Sequence, residues 1–173
     1  MEVIMKNNSK GIFLVMSILV TLSVGVLAYH LQEINPSCEK LLPVATVEKT
    51  SGRQNVKLIP YNPSLGAGGT CNYAIDGKTM ILLVNLDLSA RPQDFQRYKT
   101  DRMYQDNQQE IQGLGDMAFS CGKDGSIVVA LKAKMLVVLS AFRESDPKTA
   151  KFGNYYFTRE QLIELTKQML AKS

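Results

Sequence analysis

The sequence predicts an α+β fold: a single antiparallel sheet of about five to six strands, packed with an N-terminal and a C-terminal helix and preceded by one transmembrane or signal helix. Three observations predict it. Ile111 to Phe142 holds the chain's densest strand-forming residues, bounded by glycine turns. Thr158-Arg159-Glu160-Gln161 writes a capping box ahead of Leu162, Leu165, Met169 and Leu170, spaced as one face of a helix. Gly11 to Tyr29 runs for nineteen residues without a charge.

A chain of 173 residues with 45% hydrophobic content builds one domain with a real core. Its net charge of +4 comes from basic residues interleaved with acids, as in Arg97, Lys99, Asp101 and Arg102. Such mixing describes a solvated surface, and no nucleic-acid partner is expected.

The apolar run divides the chain into 1–30, a signal peptide or N-terminal membrane anchor, 31–37, a linker with Pro36, and 38–173, an extracytoplasmic domain. Its length is near the roughly 20 residues that cross a bilayer and exceeds the ~7–15 of a usual signal core, which favours a retained anchor. Against that, Val26-Leu27-Ala28 offers small residues to a signal peptidase, so cleavage after Ala28 would secrete the domain. Lys6 and Lys10 before the run and Glu33 after it place the N-terminus in the cytoplasm and the domain outside, periplasmic or extracellular. The run's length and flat apolarity, without any polar face, favour a membrane segment over a buried core helix.

Within the domain, Ser37 caps a helix over Glu39 to Lys49, with Pro43 early in it, Gly52 ending it, and Leu41, Leu42, Val44 and Ala45 facing the core. Val56 to Ile59 is a short strand, and Pro60 to Gly69 a loop. PSLGAGG, which overlaps that loop, lacks the Gly-Lys-Ser/Thr ending of a phosphate loop and leads into a strand. Thr70 to Ile75 and Thr79 to Leu88 form a hairpin around Asp76-Gly77. Met80, Leu82, Val84, Leu86 and Leu88 share one face at period two. Pro92 starts a helix through about Tyr104, with Phe95, Tyr98 and Arg102 on one side, and Asp106 to Gln109 is a polar loop.

Gly113, Gly115 and Asp116 form a structural turn before the strand Met117 to Cys121. The missing third glycine and the strand that follows set this motif apart from a dinucleotide fingerprint. Asp116 accepts hydrogen bonds from nearby backbone amides. Gly122 to Gly125 turns into the hairpin of Ser126 to Leu131 and Met135 to Phe142, joined by Lys132-Ala133-Lys134. Arg143 to Tyr156 reads as a loop marked by Pro147 and Gly153.

The one histidine, His30, lies at the membrane edge, so no Ser-His-Asp, Cys-His or His-rich zinc site fits within the domain. Asp87, Asp94, Asp101, Glu110 and Asp116 remain as acids or bases, but no spacing brings a pair together. The sequence therefore assigns no catalytic, cofactor-binding or metal residues, and no cofactor. Three cysteines in an exported domain imply one disulfide and one left over. Cys38 with Cys71 is preferred, because it tethers the first helix to a strand across a loop whose closure is worth roughly 3–4 kcal/mol. Cys71 with Cys121 is the alternative. Cys121 has no histidine to activate it.

Asn35-Pro36-Ser37-Cys38 followed by Leu41-Leu42, then Cys71-Asn72-Tyr73, Gly113-Leu114-Gly115-Asp116-Met117-Ala118 and a two-strand run resemble bacterial exported lipoproteins of unknown function with a PsbP-type α/β fold. The resemblance spans about Cys38 to Leu170. It implies that the matching cysteines pair, and it brings no catalytic residues. The chain departs from such proteins in lacking a lipobox before Cys38, so the resemblance does not extend to lipid attachment there.

The functional expectation is a membrane-anchored or secreted binding module whose partner is an envelope protein or a small lipophilic ligand. The alternative is a structural accessory subunit of an envelope complex. An exposed apolar patch with Tyr155, Tyr156 and Phe157 would favour docking, and an apolar cavity a ligand. An enzyme would need two convergent carboxylates in a pocket.

Overall fold

A computed structural model of the chain describes residues 36–59, 69–146, 149 and 151–172. The expected segment 1–30, most of the linker and most of the Pro60 to Gly69 loop lie outside them. Among the described residues no helix is long and apolar enough to cross a membrane.

The first helix is two. Pro43 has no N–H to give and its ring crowds the preceding turn. The chain therefore forms α1 (Pro36–Leu41), breaks, and restarts as α2 (Val44–Ser51) with Pro43 as its N-cap. Ser37 lies inside α1, not before it. The break also resets the buried face: Leu41, Leu42 and Val47 enter the core while Ala45 is exposed. Gly52 ends α2 in the left-handed conformation, as expected.

β1 (Val56–Ile59), β2 (Thr70–Ile75) and β3 (Thr79–Asp87) form an antiparallel set. Asp76 and Gly77 take positive φ, the backbone that a tight hairpin turn demands. Tyr73 pairs with Leu82 and Ala74 with Met80, so Ile81 is the extra residue of a bulge. That bulge lets Ile81 and Leu82 enter the same core cluster.

α3 (Pro92–Thr100) stops four residues short of the expected end. Asp101 is extended, and its carboxylate accepts the Met103 amide at 2.9 Å to start a separate 3₁₀ turn, Arg102–Tyr104. Phe95 is buried and Tyr98 half-buried, but Arg102, beyond the helix, faces water.

The remaining strands are β4 (Gln109–Glu110), β5 (Met117–Cys121), β6 (Ile127–Lys132) and β7 (Met135–Ala141). The sheet order is β1-β2-β3-β7-β6-β5-β4, antiparallel throughout. Seven strands replace the expected five to six. A second sheet, β8 (Arg143–Asp146) with β9 (Lys151–Tyr155), occupies the segment expected as a loop. α4 (Arg159–Leu170) closes the fold through the expected box: Thr158 and Gln161 exchange side-chain to backbone bonds of 3.3 and 2.8 Å.

Both faces of the central strands are covered. Val128, Ala130, Val137 and Leu139 point into one cluster with Leu162, Leu165 and Met169 of α4 and Val47 of α2. Val129, Leu131, Leu136 and Val138 point into a second, with Phe95 of α3 and Phe119. The third helix thus lies across the sheet from the other three. Phe95 and Phe119 meet edge to face at 5.4 Å between ring centres.

Candidate functional site: a lysine-rimmed groove

β3 ends where Asp87 accepts from the Ser89 amide at 2.8 Å and from its hydroxyl at 3.0 Å. This side-chain turn lifts the chain off the sheet. Leu88, expected on the buried face, is left 56% exposed. It lines a groove of about 580 Å³ together with Leu41 at the end of α1 and with Ala133 and Met135 at the β6–β7 turn. The charged lining is lysine alone: Lys40, Lys132, Lys134 and Lys172.

Two of those lysines are engaged. Lys132 Nζ donates to the Leu170 carbonyl at 2.8 Å, at the C-terminal end of α4. Lys172 Nζ donates to the carbonyls of Lys40 and Leu41 at 3.3 and 3.2 Å, at the end of α1. Helix C-termini carry unsatisfied carbonyls and partial negative charge, so ammonium groups settle there. Lys40 and Lys134 are exposed, and among the described residues neither side chain has an ion-pair or hydrogen-bond partner.

The walls are pinned from behind. Cys38 and Cys71 form the disulfide, with Cα atoms 5.7 Å apart, joining α1 to β2. The Tyr73 hydroxyl donates to the Leu42 carbonyl at 2.6 Å just past α1. Burial, and secondarily the Glu39 charge, raise the pKa of that phenol well above its ordinary value, so it stays a donor.

The sequence-predicted turn residues stand behind the other wall. Asp116 N donates to the Leu131 carbonyl at 2.8 Å, and its Oδ2 accepts from the Ala133 amide at 2.6 Å. Its carboxylate bond therefore reaches the β6–β7 turn instead of an amide of its own turn. There it holds Ala133, which sits at φ 53°, a left-handed conformation unfavourable for alanine. The approach needs Gly115. Its φ is 67°, and a Cβ there would stand 2.5 Å from the Leu131 carbonyl oxygen. Gly113 also has positive φ but has open space around it.

The remaining chemistry-bearing groups lie elsewhere and are occupied. Cys121 is the free cysteine, buried in the second cluster. Burial, then the nearby Asp106, push its thiol up to about 11, so it is not a thiolate at neutral pH. Asp87, Asp94 and Asp101 gather around a shallow hollow with Arg97, Tyr98 and Tyr104. Each already serves a turn or a cap. The Asp94 carboxyl is held low, first by the Arg91 backbone amide and then by the Arg91 and Arg97 side chains. Glu110 is held low by Lys99, whose ammonium lies 2.8 Å away. Among the described residues no three His, Cys, Asp or Glu side chains converge as a metal site.

Tyr155, Tyr156 and Phe157 do not make one exposed patch. Phe157 is buried, while Tyr155 and Tyr156 lie under Arg143 and Arg53 at 5.2 and 5.4 Å. Arg53 also pairs with Glu144. The exposed aromatic of this region is Phe152, at 69%. The groove itself was not legible in the sequence. Its lining comes from four separate stretches, and only the Lys132-Ala133-Lys134 step, two lysines around a hairpin turn, signals it locally.

No family model, no curated protein and no solved structure matches this chain.

Proposed function

We propose that the chain is an extracytoplasmic binding module, held at the membrane by its N-terminal apolar segment, with the lysine-rimmed groove as its binding site. One observation carries the reading: an apolar lining with an exposed leucine, bordered among the described residues by four lysines and no acid. Its volume of about 580 Å³ falls within the ~300–1,000 Å³ common for small-molecule sites. The resemblance to exported lipoproteins with a PsbP-type domain, and a disulfide that suits an oxidising compartment, support the same placement.

Native mass spectrometry of the full-length chain taken from its own membrane tests this reading. Leu88→Trp fills the groove from an exposed position. The wild type should carry a bound mass that the variant lacks, and identical spectra would overturn the assignment. A second reading, an accessory subunit docking on an envelope protein, is favoured by Phe152 on the β8–β9 hairpin. In that case Phe152→Ala, not Leu88→Trp, would release the bound partner.

A further inference from the structure

We propose that the groove takes an amphiphilic anion: one alkyl chain against Leu41, Leu88 and Met135, and a carboxylate or phosphate head between Lys40 and Lys134. This rests on the binding-module reading and names its ligand class. Both halves of the ligand follow from the lining. Leu88 stands in water beside Leu41 and Met135, which are already buried in the core, so an alkyl chain laid there removes chiefly the Leu88 surface from solvent. Cationic or neutral amphiphiles would meet the same surface, so the charge decides between them. Two of the four lysines are satisfied by helix carbonyls, whereas Lys40 and Lys134 are not and so are available to an incoming anion.

The residue type narrows the head group. An ammonium on a flexible stem is a point charge that lays its methylenes along an apolar chain while its tip stays in water. It accepts carboxylate or phosphate without the planar two-pronged fit that arginine imposes. Among the described residues no aromatic side chain lines the groove, so they offer no stacking platform for a nucleobase. The proposed anchor, Gly11 to Tyr29, would keep the protein in a membrane, where alkyl anions are concentrated.

The full-length chain in phosphatidylcholine nanodiscs should be cross-linked by a photoactivatable fatty acid on peptides carrying Leu41, Leu88 or Met135. Dodecyl phosphate should compete. Dodecyltrimethylammonium and inorganic phosphate should not. Lys40→Glu with Lys134→Glu should cut labelling by about tenfold or more, since a like charge faces the head group, whereas Lys57→Glu with Lys78→Glu should leave it unchanged. Lys40→Gln with Lys134→Gln, which removes charge without reversing it, should give an intermediate loss and guards against a folding defect in the first pair. Equal competition by the cationic amphiphile would reduce the site to apolar contact and overturn the proposal. Displacement by inorganic phosphate alone would make it a free-anion site, and displacement by a glutamate-rich peptide but not by dodecyl phosphate a protein site; either overturns it. If the fatty acid labels elsewhere while Leu88→Trp still strips a bound mass from the protein, the ligand class is wrong and the binding module stands. If Leu88→Trp strips nothing, the binding module fails as well.

Discussion

Gly115 and Gly113 share a backbone conformation and differ in what surrounds them, which makes them a matched pair. Both substitutions to alanine incur the left-handed strain of roughly 1–2 kcal/mol. Only at Gly115 does the new methyl also meet a carbonyl oxygen, at 2.5 Å, a clash with backbone that adds about 1–3 kcal/mol. Gly115→Ala should therefore lower the urea midpoint clearly more than Gly113→Ala. Asp116 offers a chemical test of the same junction. Asp116→Asn keeps an oxygen for the Ala133 amide, whereas Asp116→Ala loses that exposed bond at about 0.5–1.5 kcal/mol. Equal stabilities for the two variants would mean that the bond contributes nothing to the turn. Cys121 carries a pH dependence that a single substitution can isolate. Burial, then Asp106, raise its thiol from an ordinary value near 9 to about 11. A raised value in the fold contributes stability that is fully present below the unfolded thiol's ionisation and is lost as pH climbs through about 11. Chemical denaturation should show stability falling between about pH 9 and 11, and falling less steeply in Cys121→Ala.

Elements divide by how much their sequences rely on apolar pattern. β6 and β7 were legible because Ile, Val and Leu fill both faces of each strand and a polar step separates them. α4 was legible because its cap is written in consecutive residues. β8 and β9 were not, since Arg143-Glu144-Ser145-Asp146 and Lys151-Phe152-Gly153-Asn154-Tyr155 show no apolar alternation. Backbone pairing and arginine–aromatic contacts hold that hairpin. β4 is two residues on an edge, too short for any periodicity. The α1–α2 break is written in Pro43, whose position fits a first turn only if the helix starts at Glu39. α1 itself is six residues, too short to stand alone, and depends on its tether. The disulfide spans a separation of 33 residues, and its removal by Cys38→Ser with Cys71→Ser should cost about 3–4 kcal/mol in denaturant unfolding. Hydrogen exchange should then speed at the Leu42 amide, which donates to the Cys38 carbonyl at 2.8 Å. Unchanged exchange there would show that the Tyr73 hydroxyl and core packing hold α1 without the cross-link.

At the scale of the whole molecule, the groove exists because four chain ends and turns meet: the end of α1, the turn after β3, the β6–β7 turn and the residues after α4. Lys40 and Lys172 are brought together by a sheet that closes β3 onto β7, a long-range pairing that no local pattern states. That pairing is why the fold class was readable while the site was not. If the groove binds as proposed, it is occupied when the protein is in its own membrane. Acetylation rates of individual lysines, read by mass spectrometry on intact membranes and again after delipidation, report that occupancy. Lys57 and Lys78, exposed on the β1 and β2–β3 side, serve as references. Lys40 and Lys134 should react several-fold more slowly in the membrane, and recover on delipidation while the references do not change. Equal rates for all four lysines in both preparations would contradict it.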